Sequence, residues 1–299
     1  MNNRTLLTCT AWTFLLFTMT GCVELNCPLP DHLNKTVKQE LLSSASAAAD
    51  IKHNSWSMGG LCADRIIFYD HEKKWQMLLV RNLKKPVGPF WYLPHDNENS
   101  AFSAAVYAAK KYGGGFLAVE ANGNRYASGK DPNRNFKTSS AYTRTVFGII
   151  DSFRGKNMPY LALHSNRNGH RNNGGEGTVS MRVTDTHTLS FPAGTIKIGR
   201  NKGLGDEDSL VYLSGRDLDR KKINALNAKG LNVKFELVNG RANDNSMSNY
   251  IALHRSGIGY VNIEAEDGDV STQKKMIDRV MQLIYSGALR FMPFSRTPA

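Results

Sequence analysis

Two kinds of apolar pattern alternate along the chain: short apolar runs, which are typical of strands, and apolar positions at helical spacing. Around a tight turn at 70–74, short apolar runs at 65–69 and 75–80 predict two neighbouring strands. At 100–112, alanine-rich helical spacing stops at the three glycines 113–115, which predicts a helix that ends there. Further strands are predicted over 116–119, 159–163, 178–183, 209–213, 233–238 and 259–265. Further helices are predicted over 37–50, 141–153, 217–228 and 272–285. Strands that alternate with helices predict an α/β fold, a single domain whose mainly parallel or mixed central sheet is flanked by helices.

The N-terminal residues follow a different pattern and predict a signal peptide over 1–21. This segment has a single charged residue and an apolar run at 6–17 that is short for a membrane span. The sequence at 19–22, Met-Thr-Gly-Cys, resembles a bacterial lipoprotein box, which implies a lipid on Cys22. Simple cleavage and retention as a membrane anchor are the alternatives. A valine rather than an aspartate follows the cysteine, which by this resemblance favours the outer membrane of the bacterial cell envelope.

These boundaries predict a lipidated tether and N-terminal segment over 22–58 and a catalytic domain over 59–299. Of the four cysteines, Cys27 and Cys62 remain in the exported chain apart from Cys22, and an oxidising compartment would allow them to pair. The sequence leaves that pairing open.

Composition and charge add little about partners. The chain has 299 residues, 41% hydrophobic and 21% charged, which is ordinary for a globular protein. The formal net charge is +12, but the basic residues are scattered without regular aromatic neighbours. We therefore expect no nucleic-acid partner, and the charge favours acidic envelope material or an acidic substrate.

The first chemical motif lies at 94–99, where His95 and Glu98 are three positions apart. Zinc accepts imidazole nitrogen and carboxylate oxygen, and a catalytic zinc commonly has three protein ligands and an open fourth position. The motif is short, and a helix N-terminus with an exposed acid is the alternative.

The second motif, Asp-Pro-Asn-Arg-Asn-Phe at 131–136, is more specific. Together with the first motif it resembles the zinc carboxypeptidase-like superfamily, in which an Asn-Arg pair binds the terminal carboxylate of the substrate. The resemblance implies that role for Asn133 and Arg134, since a guanidinium binds a carboxylate through two parallel hydrogen bonds. A solvent-exposed turn started by Asp-Pro is the alternative.

The same resemblance assigns the remaining roles of the site. It implies that His164, at the end of an apolar run, is the third zinc ligand, and that Glu264 on a late strand is the general base. Glu266 lies two residues further on the same strand face, so the choice between the two glutamates stays open. Tyr250 is a candidate for binding the terminal residue of the substrate.

Arg125 resembles the arginine of the aspartoacylase and succinylglutamate desuccinylase branch, where it polarises the scissile carbonyl. The interval between Glu98 and His164 is shorter than in either branch of the superfamily. The resemblance therefore implies an exported Zn²⁺-dependent metallohydrolase, a carboxypeptidase or an N-deacylase, and leaves that choice open. Its substrate would be a small peptide or N-acyl amino acid with a free carboxylate, with peptidoglycan-derived or scavenged peptides as natural candidates. The alternative is a non-catalytic zinc- or ligand-binding envelope lipoprotein on the same fold.

Overall fold

A ten-stranded sheet forms the centre of the protein in the computed structural model, which describes residues 27–33, 35–42, 48–185, 187–199 and 202–291. The strands are β1 (Lys38–Leu41), β2 (Leu61–Asp70), β3 (Lys73–Asn82), β4 (Phe90–Leu93), β5 (Gly115–Val119), β6 (Tyr160–Asn166), β7 (Thr188–Phe191), β8 (Leu210–Gly215), β9 (Val233–Leu237) and β10 (Tyr260–Glu266). Their spatial order is β1-β2-β3-β5-β4-β6-β10-β8-β9-β7. The central run β5-β4-β6-β10 is parallel, as is the β8-β9 pair, and the other neighbours are antiparallel.

Helices cover both faces of this sheet. They are α1 (Ala49–His53), α2 (Asn99–Tyr112), α3 (Ala141–Phe153), α4 (Arg220–Asn227), α5 (Met247–His254) and α6 (Val270–Tyr285). Apolar side chains of α2, α4 and α6 share one core cluster with one sheet face, and those of α3 and α5 share a second cluster with the other. The predicted α/β class, with a mixed central sheet flanked by helices, is confirmed.

Local sequence signals explain where several elements begin and end. The side chain of Ser140 accepts a hydrogen bond from the Thr143 amide and thereby caps α3. After α2, the chain turns sharply, and Gly114 has a φ of 67°. A Cβ at this position would lie 2.0 Å from the Pro89 carbonyl oxygen, so only glycine allows β5 to lie this close to the segment before β4.

The first described residues are joined to the domain by a strand and a disulfide. Strand β1 pairs antiparallel with β2, so the helix predicted over 37–50 is wrong at 38–41. The Ala/Ser/Leu-rich composition favours a helix. In the structure, the backbone N–H and C=O groups of 38–41 form their hydrogen bonds with the edge of β2 instead. Cys27 and Cys62 form a disulfide, and the Cys27 amide donates to the Asp64 carboxylate at 2.6 Å. The predicted signal peptide and Cys22 lie outside the described residues.

The other predicted helices and strands agree with the structure except in one loop. The segment predicted as a strand at 178–183 has no regular structure, because its carbonyl groups bind side chains. Lys234 donates hydrogen bonds to the carbonyl oxygens of Ser180 and Val183. Its ammonium group thus takes the place of the backbone amides that would bind these oxygens in a sheet. The pattern also missed β4, β7 and α5, which are short. In the part of the chain that the structure describes, no helix has the length and apolar character needed to cross a bilayer.

Candidate metal centre and active site

Three predicted ligands meet at the carboxyl ends of neighbouring parallel strands. His95 follows β4 by two residues, Glu98 immediately precedes α2, and His164 lies in β6. Because β4 and β6 are parallel neighbours, their carboxyl ends lie at the same edge of the sheet. Crevices at such edges are the usual ligand sites of open α/β sheets.

Glu98 joins the two histidines within the cluster. Its Oε1 lies 2.7 Å from His95 Nδ1, and its Oε2 lies 3.2 Å from His164 Nδ1. One ligand atom from each of the three residues lies within 4.8 Å of the others, and all three side chains are buried. Among the described residues, these three form the one group of histidine, cysteine or acidic side chains with this geometry.

The cluster fits a metal ion by the chemistry of its donors. The nitrogen of His164 that faces Glu98 is Nδ1, so Nδ1 is the atom that can share an ion with Glu98. Two imidazoles and one carboxylate are the donor set of a catalytic zinc site, with further positions open.

Asp131 supports this cluster from outside. Its Oδ1 lies 3.0 Å from His95 Nε2. The two ring nitrogens of His95 therefore face two different carboxylates, Nδ1 that of Glu98 and Nε2 that of Asp131. Burial alone would raise the pKa of Asp131, but the hydrogen bond and charge of His95 hold it at about 2. Asp131 is therefore ionised at neutral pH and fixes the orientation of the His95 ring, as carboxylates do for metal-binding histidines.

Arg125, predicted to polarise a carbonyl, lies beside the cluster. Its Nη1 is 3.2 Å from Glu98 Oε1, and its Nη2 is 3.8 Å from Asp131 Oδ2. The Ser165 amide also donates to Glu98 Oε2 at 3.0 Å. Burial disfavours a charged Glu98, but the two histidines more than offset this, and the pKa of Glu98 is lowered well below its usual range. A cavity of about 460 Å³ opens beside Glu98 and Arg125.

Glu264, the predicted general base, is the direct neighbour of His164 across the β6-β10 ladder. Its carboxylate accepts a hydrogen bond from Asn262 Nδ2 at 2.9 Å and is buried. Burial raises the pKa of Glu264, and the charge of Glu98 adds to this effect while His164 opposes it. A raised pKa brings a carboxylate closer to the range that suits a general base.

Glu266 occupies a different environment one strand repeat away. It is the neighbour of Asn166, and its charge contributes to the raised pKa values of Asp206 and Asp208. Burial is the main cause of those two values, which are about 7 and about 8. Glu264 faces the histidines, whereas Glu266 faces an acidic group.

Asn133 and Arg134 lie in a short 3-10 turn, 132–134, that Asp131 starts by accepting a hydrogen bond from the Asn133 amide at 2.9 Å. The side-chain oxygen of Asn133 is buried without a partner in the described residues. Arg134 Nε lies 3.1 Å from Asp244 Oδ2, and Arg134 borders a second cavity of about 290 Å³. Arg134 therefore lies at the border of this cavity, whereas Asn133 does not line it.

Tyr250 lies apart from these residues. Its ring stacks on Phe147 with a centroid distance of 5.0 Å and an interplanar angle of 28°, and it also contacts His254. It does not line either of the two cavities. Position 250 is in the helix α5, whose neighbouring residues 248 and 249 point into the domain.

Sequence reasoning missed the supporting residues of the site. The contact of Asp131 with His95 joins positions 36 residues apart, although Asp131 belongs to the second motif. Asn262, which orients Glu264, lies two residues before it in β10, and the sequence alone suggested no role for it. The spacing Asn-x-Glu on one strand, which puts both side chains on one face, is the signal that could have found it.

Comparisons with known proteins give similarity to solved structures, whereas no protein-family profile and no curated protein matches the chain. A succinylglutamate desuccinylase from Chromobacterium violaceum has a TM-score of 0.41 at 11% identity, with 77% of this chain and 73% of that chain covered. A candidate metallopeptidase from Shewanella denitrificans has a TM-score of 0.42 at 10% identity, with 80% and 88% covered. A succinylglutamate desuccinylase/aspartoacylase from Rhodobacter sphaeroides has a TM-score of 0.37 at 13% identity, with 80% and 70% covered. At such values, function has to be inferred from the side chains of the site.

Proposed function

We propose that the protein is an exported zinc-dependent hydrolase that cleaves an amide bond next to a free carboxylate of its substrate. The buried His95–Glu98–His164 cluster, whose three ligand atoms lie within 4.8 Å of one another, carries this proposal. A carboxypeptidase and an N-deacylase both fit it. A lipid on Cys22 would hold the enzyme at the bacterial cell envelope, where small peptides or N-acyl amino acids are its substrates.

The proposed metal is zinc, held by His95, Glu98 and His164. When bound, zinc supplies a Lewis acid that polarises a carbonyl oxygen and makes water acidic enough to attack near neutral pH. Nitrogen and carboxylate donors at close range suit zinc better than calcium or magnesium, which prefer oxygen ligands alone.

We assign the proton transfers of the reaction to Glu264. This carboxylate is buried next to His164, and Asn262 donates a hydrogen bond to one of its oxygens. In the described part of the chain the other oxygen has no hydrogen-bond partner, so it can accept the proton of the attacking water. Glu264 then passes that proton to the leaving amine. Arg125, within 3.2 Å of the Glu98 carboxylate, stabilises the negative charge that develops on the carbonyl oxygen.

The substrate carboxylate is assigned to Asn133 and Arg134. Both belong to the same turn, and Arg134 Nε forms an ion pair with Asp244 Oδ2 at 3.1 Å. A planar guanidinium binds a carboxylate in a defined orientation, which positions the adjacent amide bond for attack.

Replacing Arg134 with lysine tests the carboxylate assignment. Lysine keeps the charge but loses the two-pronged geometry, so we expect KM to rise by roughly tenfold for substrates with a free carboxylate, with a smaller effect on kcat. The measurement is steady-state kinetics on a panel of dipeptides and N-acyl amino acids, each with its carboxyl-amidated counterpart. Amidated substrates should be poor for the wild type and almost insensitive to Arg134→Lys. Equal losses on both kinds of substrate would remove Arg134 from the substrate site.

A further inference from the structure

The N-terminal segment is attached to the end of the sheet that lies opposite the metal centre. Cys27 forms a disulfide with Cys62, the second residue of β2. Cys62 pairs with Arg81 in β3, and Arg81 pairs with Gly115, the first residue of β5. Since β5 is parallel to β4 and β6, its first residue marks the amino end of the central strands, whereas the metal cluster lies at their carboxyl ends.

A short segment separates this attachment point from the cysteine that we propose carries the lipid. Five peptide bonds join Cys22 to Cys27. A fully extended chain spans at most about 3.6 Å per residue, so the two residues lie within roughly 18 Å of each other. Pro28 is held at the same end, because its carbonyl oxygen accepts a hydrogen bond from Arg81 Nη2 at 2.5 Å. A lipid on Cys22 would therefore bring the amino end of the sheet close to the headgroups of the bilayer.

Two loops form the surface at this end of the domain. The loop 83–88, Leu-Lys-Lys-Pro-Val-Gly, follows β3, and the loop 154–158, Arg-Gly-Lys-Asn-Met, follows α3. The Gly88 amide donates to the Phe153 carbonyl at 3.2 Å, and the Gly155 amide donates to the Gly88 carbonyl at 2.8 Å. These backbone hydrogen bonds join the two loops into one surface, and neither loop contains an acidic residue.

This surface presents positive charge and an apolar side chain to solvent. Lys84, Lys85 and Lys156 are exposed, and in the described part of the chain none of them forms an ion pair. Val87, in the first loop, is 60% exposed. The nearby carboxylate of Asp151 is neutralised within the domain by ion pairs with two arginines. Unpaired lysines beside an exposed apolar side chain are typical of surfaces that bind anionic lipid headgroups.

We infer that the loops 83–88 and 154–158, which we call the membrane face, rest on anionic phospholipid headgroups and thereby turn the metal centre away from the bilayer. This inference rests on the proposed function, because the lipid on Cys22 brings the membrane face to the bilayer. Lipid-anchored proteins bind membranes stably when a basic surface acts together with the lipid. In this orientation the crevice at the carboxyl ends of the strands opens toward the aqueous side, from which a small substrate enters.

Binding of residues 23–299 to vesicles tests the membrane face in the absence of the lipid. This chain keeps every described strand and helix and lacks Cys22 and the predicted signal peptide. We expect binding, measured by co-sedimentation, to be roughly tenfold stronger or more with vesicles that contain phosphatidylglycerol than with vesicles of phosphatidylcholine alone, because lysines are attracted to an anionic surface. High salt should remove most of this difference.

Two triple variants show whether the membrane face is responsible. Lys84→Gln/Lys85→Gln/Lys156→Gln should bind the phosphatidylglycerol vesicles roughly tenfold more weakly or worse than the wild type. The matched control removes the same charge from exposed positions outside the membrane face and should bind like the wild type. It is Lys74→Gln/Lys137→Gln/Lys202→Gln.

A fluorophore on a single introduced cysteine reports the orientation, because both native cysteines of this chain are in the disulfide. On phosphatidylglycerol vesicles that carry a quencher on their lipids, a fluorophore at Val87→Cys should be quenched. A fluorophore at Glu72→Cys should not be quenched, because the exposed turn between β2 and β3 lies at the opposite end of the sheet.

Equal binding to both kinds of vesicle, equal losses in the two triple variants, or equal quenching at the two positions would overturn the inference and leave the proposed hydrolase in place. Binding to a soluble acidic polymer without binding to vesicles would overturn it too. Mass spectrometry of the full-length protein tests the lipid on Cys22 separately. If that lipid is absent, the anchoring part of the proposed function fails, and the vesicle measurements alone decide the inference. The comparison of vesicles uses the wild-type sequence, so it stands even if a variant folds poorly.

Discussion

Replacing Glu264 with glutamine should lower turnover by roughly a hundredfold or more while metal content and fold are retained. The amide keeps an oxygen that can accept the hydrogen bond from Asn262, so the local structure needs little adjustment. It cannot accept a proton from the attacking water, because an amide is not a base in this pH range. The measurement is kcat on a peptide or N-acyl amino acid substrate, with metal analysis of the same protein sample.

Glu266→Gln is the matched control for that variant. Glu266 is on the same strand face but belongs to the group with Asp206 and Asp208, so its replacement should leave kcat within a few-fold of the wild type. If Glu266→Gln abolished turnover and Glu264→Gln did not, the base would be one strand repeat further along. If neither variant lost activity, neither glutamate would be the general base, and the proposed mechanism would be wrong.

Replacing Asp131 with asparagine should weaken metal binding about 10- to 100-fold, although Asp131 is not assigned as a ligand. Asp131 Oδ1 lies 3.0 Å from His95 Nε2, and its negative charge makes the His95 ring a better electron donor. Asparagine can keep a hydrogen bond but lacks this charge. The measurement is the zinc dissociation constant from competition with a chelator of known affinity.

Glu72→Gln serves as the control for Asp131→Asn, because it removes one acidic charge from an exposed turn. Its zinc affinity should equal that of the wild type. If Asp131→Asn bound zinc as tightly as this control, the contact between Asp131 and His95 would be part of the turn at 132–134 and would not tune the metal centre.

The elements that sequence predicted best are those whose local pattern agrees with their tertiary packing. Helix α3 was predicted over 141–153 and has those bounds, because its apolar stripe, its serine cap and its buried face all agree. The segment at 178–183 has strand-like composition, but the ammonium group of the distant Lys234 binds its carbonyl groups. A local pattern cannot report such a contact between residues 54 positions apart.

The site also combines features that local sequence patterns predict with contacts between distant residues that they do not predict. His95 and Glu98 follow from the spacing of a motif, and His164 follows from the resemblance to a known superfamily. The structure brings the three residues together. The support that Asp131 gives to His95 depends on how the loop that contains Asp131 folds onto the sheet. Because this is a contact between elements, a single-sequence pattern does not encode it in a recognisable form.

The metal content of the purified protein tests the central claim most directly. Residues 23–299 should carry about one zinc ion per chain, measured by elemental analysis after gel filtration, and the double variant His95→Ala/His164→Ala should carry almost none. Glu72→Gln, measured alongside, should match the wild type. Full zinc occupancy in the double variant, or a wild-type protein that binds no zinc when zinc is supplied in excess, would contradict the assignment of this cluster as the metal centre.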